Sequence, residues 1–169
     1  MSELRAGLEA ALAASPDNLT LHAAYADHLI EAGDPRGEFI RLQLALEDHS
    51  LSRDRRQAIE FEVERLLNRH QHEWLGELAE YFYTDQQFEQ HHVTWKRGWV
   101  HSLRFSCLPE DLITILRKAK QLQLLRALTI ESQYQLFNWQ TVWRPTTSVL
   151  QLADSPAVRN LRWLTLGVG

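Results

Sequence analysis

Leu125-Arg126-Ala127-Leu128-Thr129-Ile130 sets apolar side chains at the first, fourth and sixth places of a short run. Leu128 and Ile130 alternate with Ala127 and Thr129, the two-residue period of a strand with one buried face. The same spacing occurs as Val100-x-x-Leu103-x-Phe105 and as Leu161-x-x-Leu164-x-Leu166, at offsets of 25 and 36 residues. Between the first two copies, Leu112, Ile115, Leu116 and Ala119 fall at helical spacing within Pro109 to Leu124. Between the second and third, Val149, Leu150, Leu152 and Ala153 do so within Thr147 to Val158. Strand, helix, strand, helix, strand with a recurring leucine spacing predicts a short leucine-rich-type solenoid with parallel strands. No unit buries its own strand and helix, so stacking makes the core. An offset of 25 is an ordinary repeat length, and 36 implies an insertion of about 11 residues. The asparagine or cysteine of the fuller motif is missing, which makes these degenerate units.

Immediately upstream, Val93 and Trp95 alternate with His92, Thr94 and Lys96, Arg97-Gly98 offers a turn, and Trp99 to Phe105 alternates again. That pattern predicts a β-hairpin. Before it the period is helical. Leu4, Leu8 and Leu12 line one face of a first helix that Pro16 ends. Asp17 or Asn18 caps a second, with Leu21, Tyr25, Leu29 and Ala32 in one stripe and Gly33 as a left-handed stop. Asp34-Pro35 restarts the chain as N-cap and first helical residue. Phe39, Leu42 and Leu46 point inward from the third helix, with Ile40 and Leu44 beside them. Ile59, Val63, Leu66 and Leu67 do so from a fourth, Ser52 to His72. Trp74, Leu75, Leu78, Ala79 and Phe82 extend the amphipathic pattern. The expected fold is therefore α+β: an N-terminal helical bundle in residues 1–82, then a hairpin and a short leucine-rich-repeat-like solenoid in 83–169.

The stretch Tyr25-Ala26-Asp27-His28-Leu29-Ile30-Glu31-Ala32-Gly33-Asp34-Pro35-Arg36-Gly37-Glu38-Phe39-Ile40-Arg41-Leu42-Gln43 resembles the core string of the bacterial repeat-companion domain, Y-A-D-x-L-x-E-x-G-D-P-R-G-E-F-I-R-L-Q. His28 stands where that family usually carries an aromatic. His72-Glu73-Trp74-Leu75-Gly76 and Trp95-Lys96-Arg97-Gly98-Trp99-Val100 extend the likeness, which covers about residues 8 to 105. The resemblance implies a helical adaptor leading into repeats, and it brings no catalytic residues with it. Physically, Tyr25, Asp27, Gly33, Asp34, Pro35, Arg36, Gly37, Glu38 and Arg41 read as a structural corner. Arg36 and Arg41 are within reach of Asp27, Glu31 or Glu38, and Gly37 admits a neighbouring backbone.

The 169 residues carry a net charge of −4, with 44% hydrophobic residues and 24% charged, close to globular averages. Residues 1–82 hold a balance of −8 and residues 83–169 a balance of +4. An acidic whole gives no bulk attraction for nucleic acid or an anionic membrane. Cys107 is the only cysteine, so no internal disulfide forms; with Glu3, Arg5 and Glu9 breaking any signal-like leader, the cytoplasm is the expected compartment.

The sequence holds few residues in a pattern that chemistry needs. His70 and His72 lie two apart on a helix and diverge; His91 and His92 alternate if extended; a zinc site would take one histidine from each pair with Glu73 or Glu89, and solvated or helix-capping histidines are the commoner state. Cys107 sits near Arg104 and a helix start, the setting of a reactive thiol, although a buried inert thiol is the commoner state. Glu60, Glu62 and Glu64 read as a solvated face. No phosphate loop or nucleophile elbow can be built from seven scattered glycines. The aromatics Tyr134, Phe137, Trp139 and Trp143, with Arg144, fall in the insertion, and such residues dominate binding hot spots. The expected function is thus a non-catalytic protein–protein interaction module, an adaptor or scaffold without cofactor or metal, whose partner is another protein or a second copy of the chain. A nucleic-acid module using the basic half with Arg104, Arg126, Arg144, Arg159 and Arg162 is the second reading, and a metal or thiol enzyme the third. The last strand motif ends three residues before Gly169, so its edge is expected to be met by a second copy, another chain or further repeats.

Overall fold

The computed structural model describes residues 3–83, 91–105, 110–131, 152, 155 and 158–167. Four helices come first: α1 (Glu3–Ala14), α2 (Leu19–Glu31), α3 (Pro35–Ala45) and α4 (Arg53–Leu75). A 3-10 turn, Gly76–Ala79, runs into the short α5 (Glu80–Tyr83). Then follow β1 (His92–Lys96), β2 (Trp99–Phe105), α6 (Glu110–Lys118), a 3-10 turn at Lys120–Leu122, β3 (Ala127–Glu131) and β4 (Trp163–Gly167). The architecture is mixed α+β, helices followed by an open four-stranded mixed sheet in the order β1-β2-β3-β4. The chain divides into two compact units. One is Met1–Trp74 with Trp95–Trp99, and the other Leu75–Thr94 with Val100–Gly169. No helix among the described residues is long and apolar enough to cross a membrane.

Local chemistry accounts for the helix boundaries. Asn18 accepts the Leu21 N–H through its side chain and opens α2, so of the two expected caps Asn18 is the one used. The α2 terminus closes as a Schellman motif. Gly33, at φ +73°, donates to the Ile30 carbonyl and Asp34 to that of Leu29. Asp34 then accepts the Arg36 N–H at 3.0 Å, with Pro35 in the first turn of α3. Beyond α3, the Arg56 guanidinium donates to the carbonyls of Leu46 and Asp48 and ties the loop to α4.

The expected strands lie side by side. β2 and β3 pair in parallel with Leu103 opposite Leu128 and Phe105 opposite Ile130. β3 and β4 pair in parallel with Leu128 opposite Leu164 and Ile130 opposite Leu166. These registers reproduce the two sequence offsets, so equivalent motif positions form continuous rungs across three strands. The inner rungs are buried at β2 and β3, as are Leu112, Ile113, Leu116 and Leu122 from the connection between them. The Asn160 side chain donates to the Gln123 carbonyl, and the Arg126 and Arg162 backbone N–H groups donate to His101 and Arg126, so the approaches to successive strands are also tied. The helix expected over Thr147 to Val158 lies outside the described residues except at Leu152, Ser155 and Val158. There the Ser155 hydroxyl donates toward the Leu116 carbonyl at 3.3 Å.

Candidate functional site

Two places stand out: the corner built by the 25–43 string, and the outer side of β4. At the corner, α3 crosses α2 through Gly37, where a Cβ would stand 2.6 Å from the Ala26 carbonyl oxygen and 2.7 Å from the Ile30 nitrogen. That approach leaves room for hydrogen alone, as expected of this glycine. Arg41 pairs with Glu38 on the surface, and Asp27 is exposed. Arg36 behaves differently from the local expectation. It is buried, and its Nε donates at 2.9 Å to the carbonyl of Gly98, 62 residues away, rather than to Asp27, Glu31 or Glu38.

Gly98 belongs to the hairpin tip, and the corner holds that tip from several sides. Arg97 (φ +51°) and Gly98 (φ +76°) are both left-handed, the conformation of a type I′ two-residue turn. The Gln43 side chain accepts the Gly98 N–H at 2.7 Å and donates to the Trp95 carbonyl at 3.3 Å. Arg97 donates twice to the Glu47 carboxylate, at 2.6 and 2.8 Å, with Asp17 3.9 Å from its other amine. This fork offsets the steric cost of a left-handed arginine. It also holds the Glu47 carboxyl below the usual carboxylate range and raises the arginine.

Aromatic packing completes the grip. Trp99 stacks on Tyr25 with centroids 5.6 Å apart, and the Arg36 guanidinium lies 4.6 Å from the Trp99 ring centroid. Trp95 meets Phe39 and Trp74 edge-on within a cluster that includes Leu66. The Tyr25 hydroxyl donates to Glu9 at 2.7 Å, and burial together with that bond pushes its pKa up to about 12. Arg5 reaches both Glu9 and Asp34, so the charges around Arg36 balance in pairs. The Arg36 Nη2 is buried without an acceptor among the described residues, which makes the Trp99 face its main compensation. Arg36, Gln43 and Glu47 thus turn inward on the chain itself. It is a structural joint.

β4 presents the opposite situation. It is the last strand in the sheet order, and among the described residues no strand lies on its outer side. Leu164 and Leu166 continue the buried rungs of Leu128 and Ile130, yet they are 46% and 39% exposed. Trp163, on the opposite face, is 59% exposed. Other exposed large apolar residues, Leu4, Leu19, Ile30 and Phe61, are scattered one to a helix stretch or loop end and need no account. Three within one five-residue strand do. Trp163 was not among the residues singled out from sequence. Its signal was present, an aromatic alternating with two leucines that already matched the strand motif.

The remaining candidates resolve separately. Tyr134, Phe137, Trp139, Trp143 and Arg144 lie outside the described residues, as do Cys107 and Glu89. His91 is buried, with Nδ1 2.8 Å from the Tyr81 carbonyl oxygen and its ring edge-on to Phe105, and burial lowers its pKa. His92 is exposed on the other side of the strand. His70 stacks on Trp74 and stands 3.8 Å from Glu73. No group of three or more potential metal ligands occurs among the described residues. Glu62 pairs with Arg65 and Arg104 with Glu131, both on the surface.

In comparison with known proteins, the chain matches no family model, no curated protein and no solved structure. The weight therefore falls on the geometry of β4 and of the corner.

Proposed function

We propose that the chain is a non-catalytic protein–protein interaction module. In this reading a helical part of the repeat-companion kind holds the tip of a hairpin and leads into a short array of degenerate leucine-rich-type units, whose last strand meets the partner. The observation that carries it is β4, an end strand of the sheet whose Leu164 and Leu166 are exposed and beside which no further strand lies among the described residues. Exposed strand edges are templates for another chain, and burying Trp163, Leu164 and Leu166 supplies a hydrophobic drive. The corner supports the same reading. Arg36, Glu47, Tyr25 and Phe39 there are occupied in holding Trp95–Trp99, whereas β4 has no strand on its outer side among the described residues.

The test is a photo-crosslinking amino acid placed at Thr165 and, as a control, at Glu64 on the exposed side of α4, in cells that make the protein. Adducts to protein at position 165 and none at 64 are expected. No adduct at 165, or equal labelling at both positions, overturns the reading.

A further inference from the structure

β4 is complementary to itself, and from this we infer that its partner is a second copy of the chain, joined through an antiparallel β4–β4 pair centred on Thr165. This rests on the reading of β4 as the interaction edge and names its occupant. An antiparallel pair related by a twofold axis through Thr165 sets Thr165 opposite Thr165, Leu164 opposite Leu166 and Trp163 opposite Gly167. Residues directly opposite share a face. The two leucines therefore meet on the side of the sheet that already carries Leu128 and Ile130. The rung Leu103, Leu128, Leu164 then runs without a break into Leu166, Ile130 and Phe105 of the partner.

On the other face each Trp163 covers a residue with no side chain, which gives the indole a flat backbone to lie on in place of solvent. The central threonines form a cross-strand pair that sheets favour. Charge offers no objection. Trp163 to Gly167 carries none, and the two Arg162 side chains lie beyond the paired stretch at opposite ends, roughly 20 Å apart at strand spacing and so screened at physiological salt. Moving the axis by one residue, to Leu164, would set Leu166 opposite the charged Arg162, which disfavours that register. Because the pairing stretch is five residues long, the interface is small and the dimer is expected to form reversibly with concentration.

The experiment uses the full chain in a Cys107→Ser background. Sedimentation from low to high micromolar concentration should show a monomer–dimer equilibrium, and Leu166→Lys should weaken it at least about tenfold. Register is read by disulfide trapping under mild oxidation. Thr165→Cys should link to itself, since directly paired residues lie within disulfide reach. Trp163→Cys should not, because its twofold mate lies about 14 Å along the strands. Circular dichroism of each variant confirms that it folds. A wild-type chain that stays monomeric, or a dimer trapped at 163 and not at 165, overturns the inference. A monomer that still photo-crosslinks to other proteins from position 165 overturns the self-pairing while leaving the interaction reading intact.

Discussion

Gly98 and Gly33 both sit in the left-handed region, yet an alanine should act differently at each. Around Gly33 a Cβ meets nothing within 4 Å, so Gly33→Ala carries only the conformational cost, about 1–2 kcal/mol. At Gly98 the Cβ would overlap Ile40 Cγ1, near the root of a side chain that is itself fully buried. Overpacking adds to the conformational cost there, and Gly98→Ala should lose on the order of 3 kcal/mol or more. Chemical denaturation of both variants measures the contrast, and equal losses would mean that the hairpin tip is not seated against α3. The Arg97–Glu47 fork is tested beside it. Arg97→Lys keeps the charge and loses the two-pronged geometry, Glu47→Gln keeps the shape and loses the charge, and each should cost on the order of 1–2 kcal/mol. The Arg97 side chain is largely covered, so these losses should persist at raised salt better than those of the exposed Glu38–Arg41 pair.

At the scale of elements, the parallel ladder was open to reading from the chain because its signal is repetition. Three copies of one apolar spacing set the register as well as the strands, and Leu103, Leu128 and Leu164 stand where the offsets put them. The corner was legible for a different reason. A left-handed stop, an N-cap and a proline in sequence are local chemistry, and Gly33, Asp34 and Pro35 carry it within three residues. The destination of Arg36 was not legible. Charge rules look along one helix and offered Asp27, Glu31 and Glu38, whereas burial beneath Trp99 decided for a carbonyl far along the chain. Gln43 and Glu47 escaped notice likewise, since neither holds anything in its own helix. The insertion aromatics Tyr134, Phe137, Trp139 and Trp143 lie outside the described residues. Central and edge strands can be compared directly. Leu128→Ala should destabilise by about 3 kcal/mol, as for a fully buried leucine, and Leu164→Ala in dilute protein by about 1 kcal/mol or less. Equal losses at low concentration would show that β4 is covered in the single chain.

For the molecule as a whole, acid is the informative perturbation, because each compact unit buries one histidine. In the first, His22 has Nε2 2.9 Å from the Pro16 carbonyl oxygen and Nδ1 buried without a partner among the described residues. Burial lowers its pKa, and Arg97 nearby acts in the same direction against Glu47 and Asp17. In the second, burial lowers His91, with the Tyr81 carbonyl opposing and His92 assisting. Both imidazoles are therefore held neutral in the folded chain, while the unfolded chain protonates them near pH 6.5. Protons then favour the unfolded state as pH falls through 6.5, and stability declines until the folded pKa values are passed. Glu47 works in a lower window. Its carboxyl stays ionised beside Arg97, the unfolded chain takes up the proton near pH 4.5, and the contribution of the fork fades as pH falls below that. Thermal unfolding followed from pH 8 to pH 4 should accordingly show a first loss beginning near 6.5 and a second below 4.5. His22→Gln should shrink the first without abolishing it, since His91 remains, and Glu47→Gln should remove part of the second and leave the first unchanged. A first loss that His22→Gln leaves at full size would mean that this histidine is open to solvent when folded, and with it that the helical corner is looser than its hydrogen bonds imply.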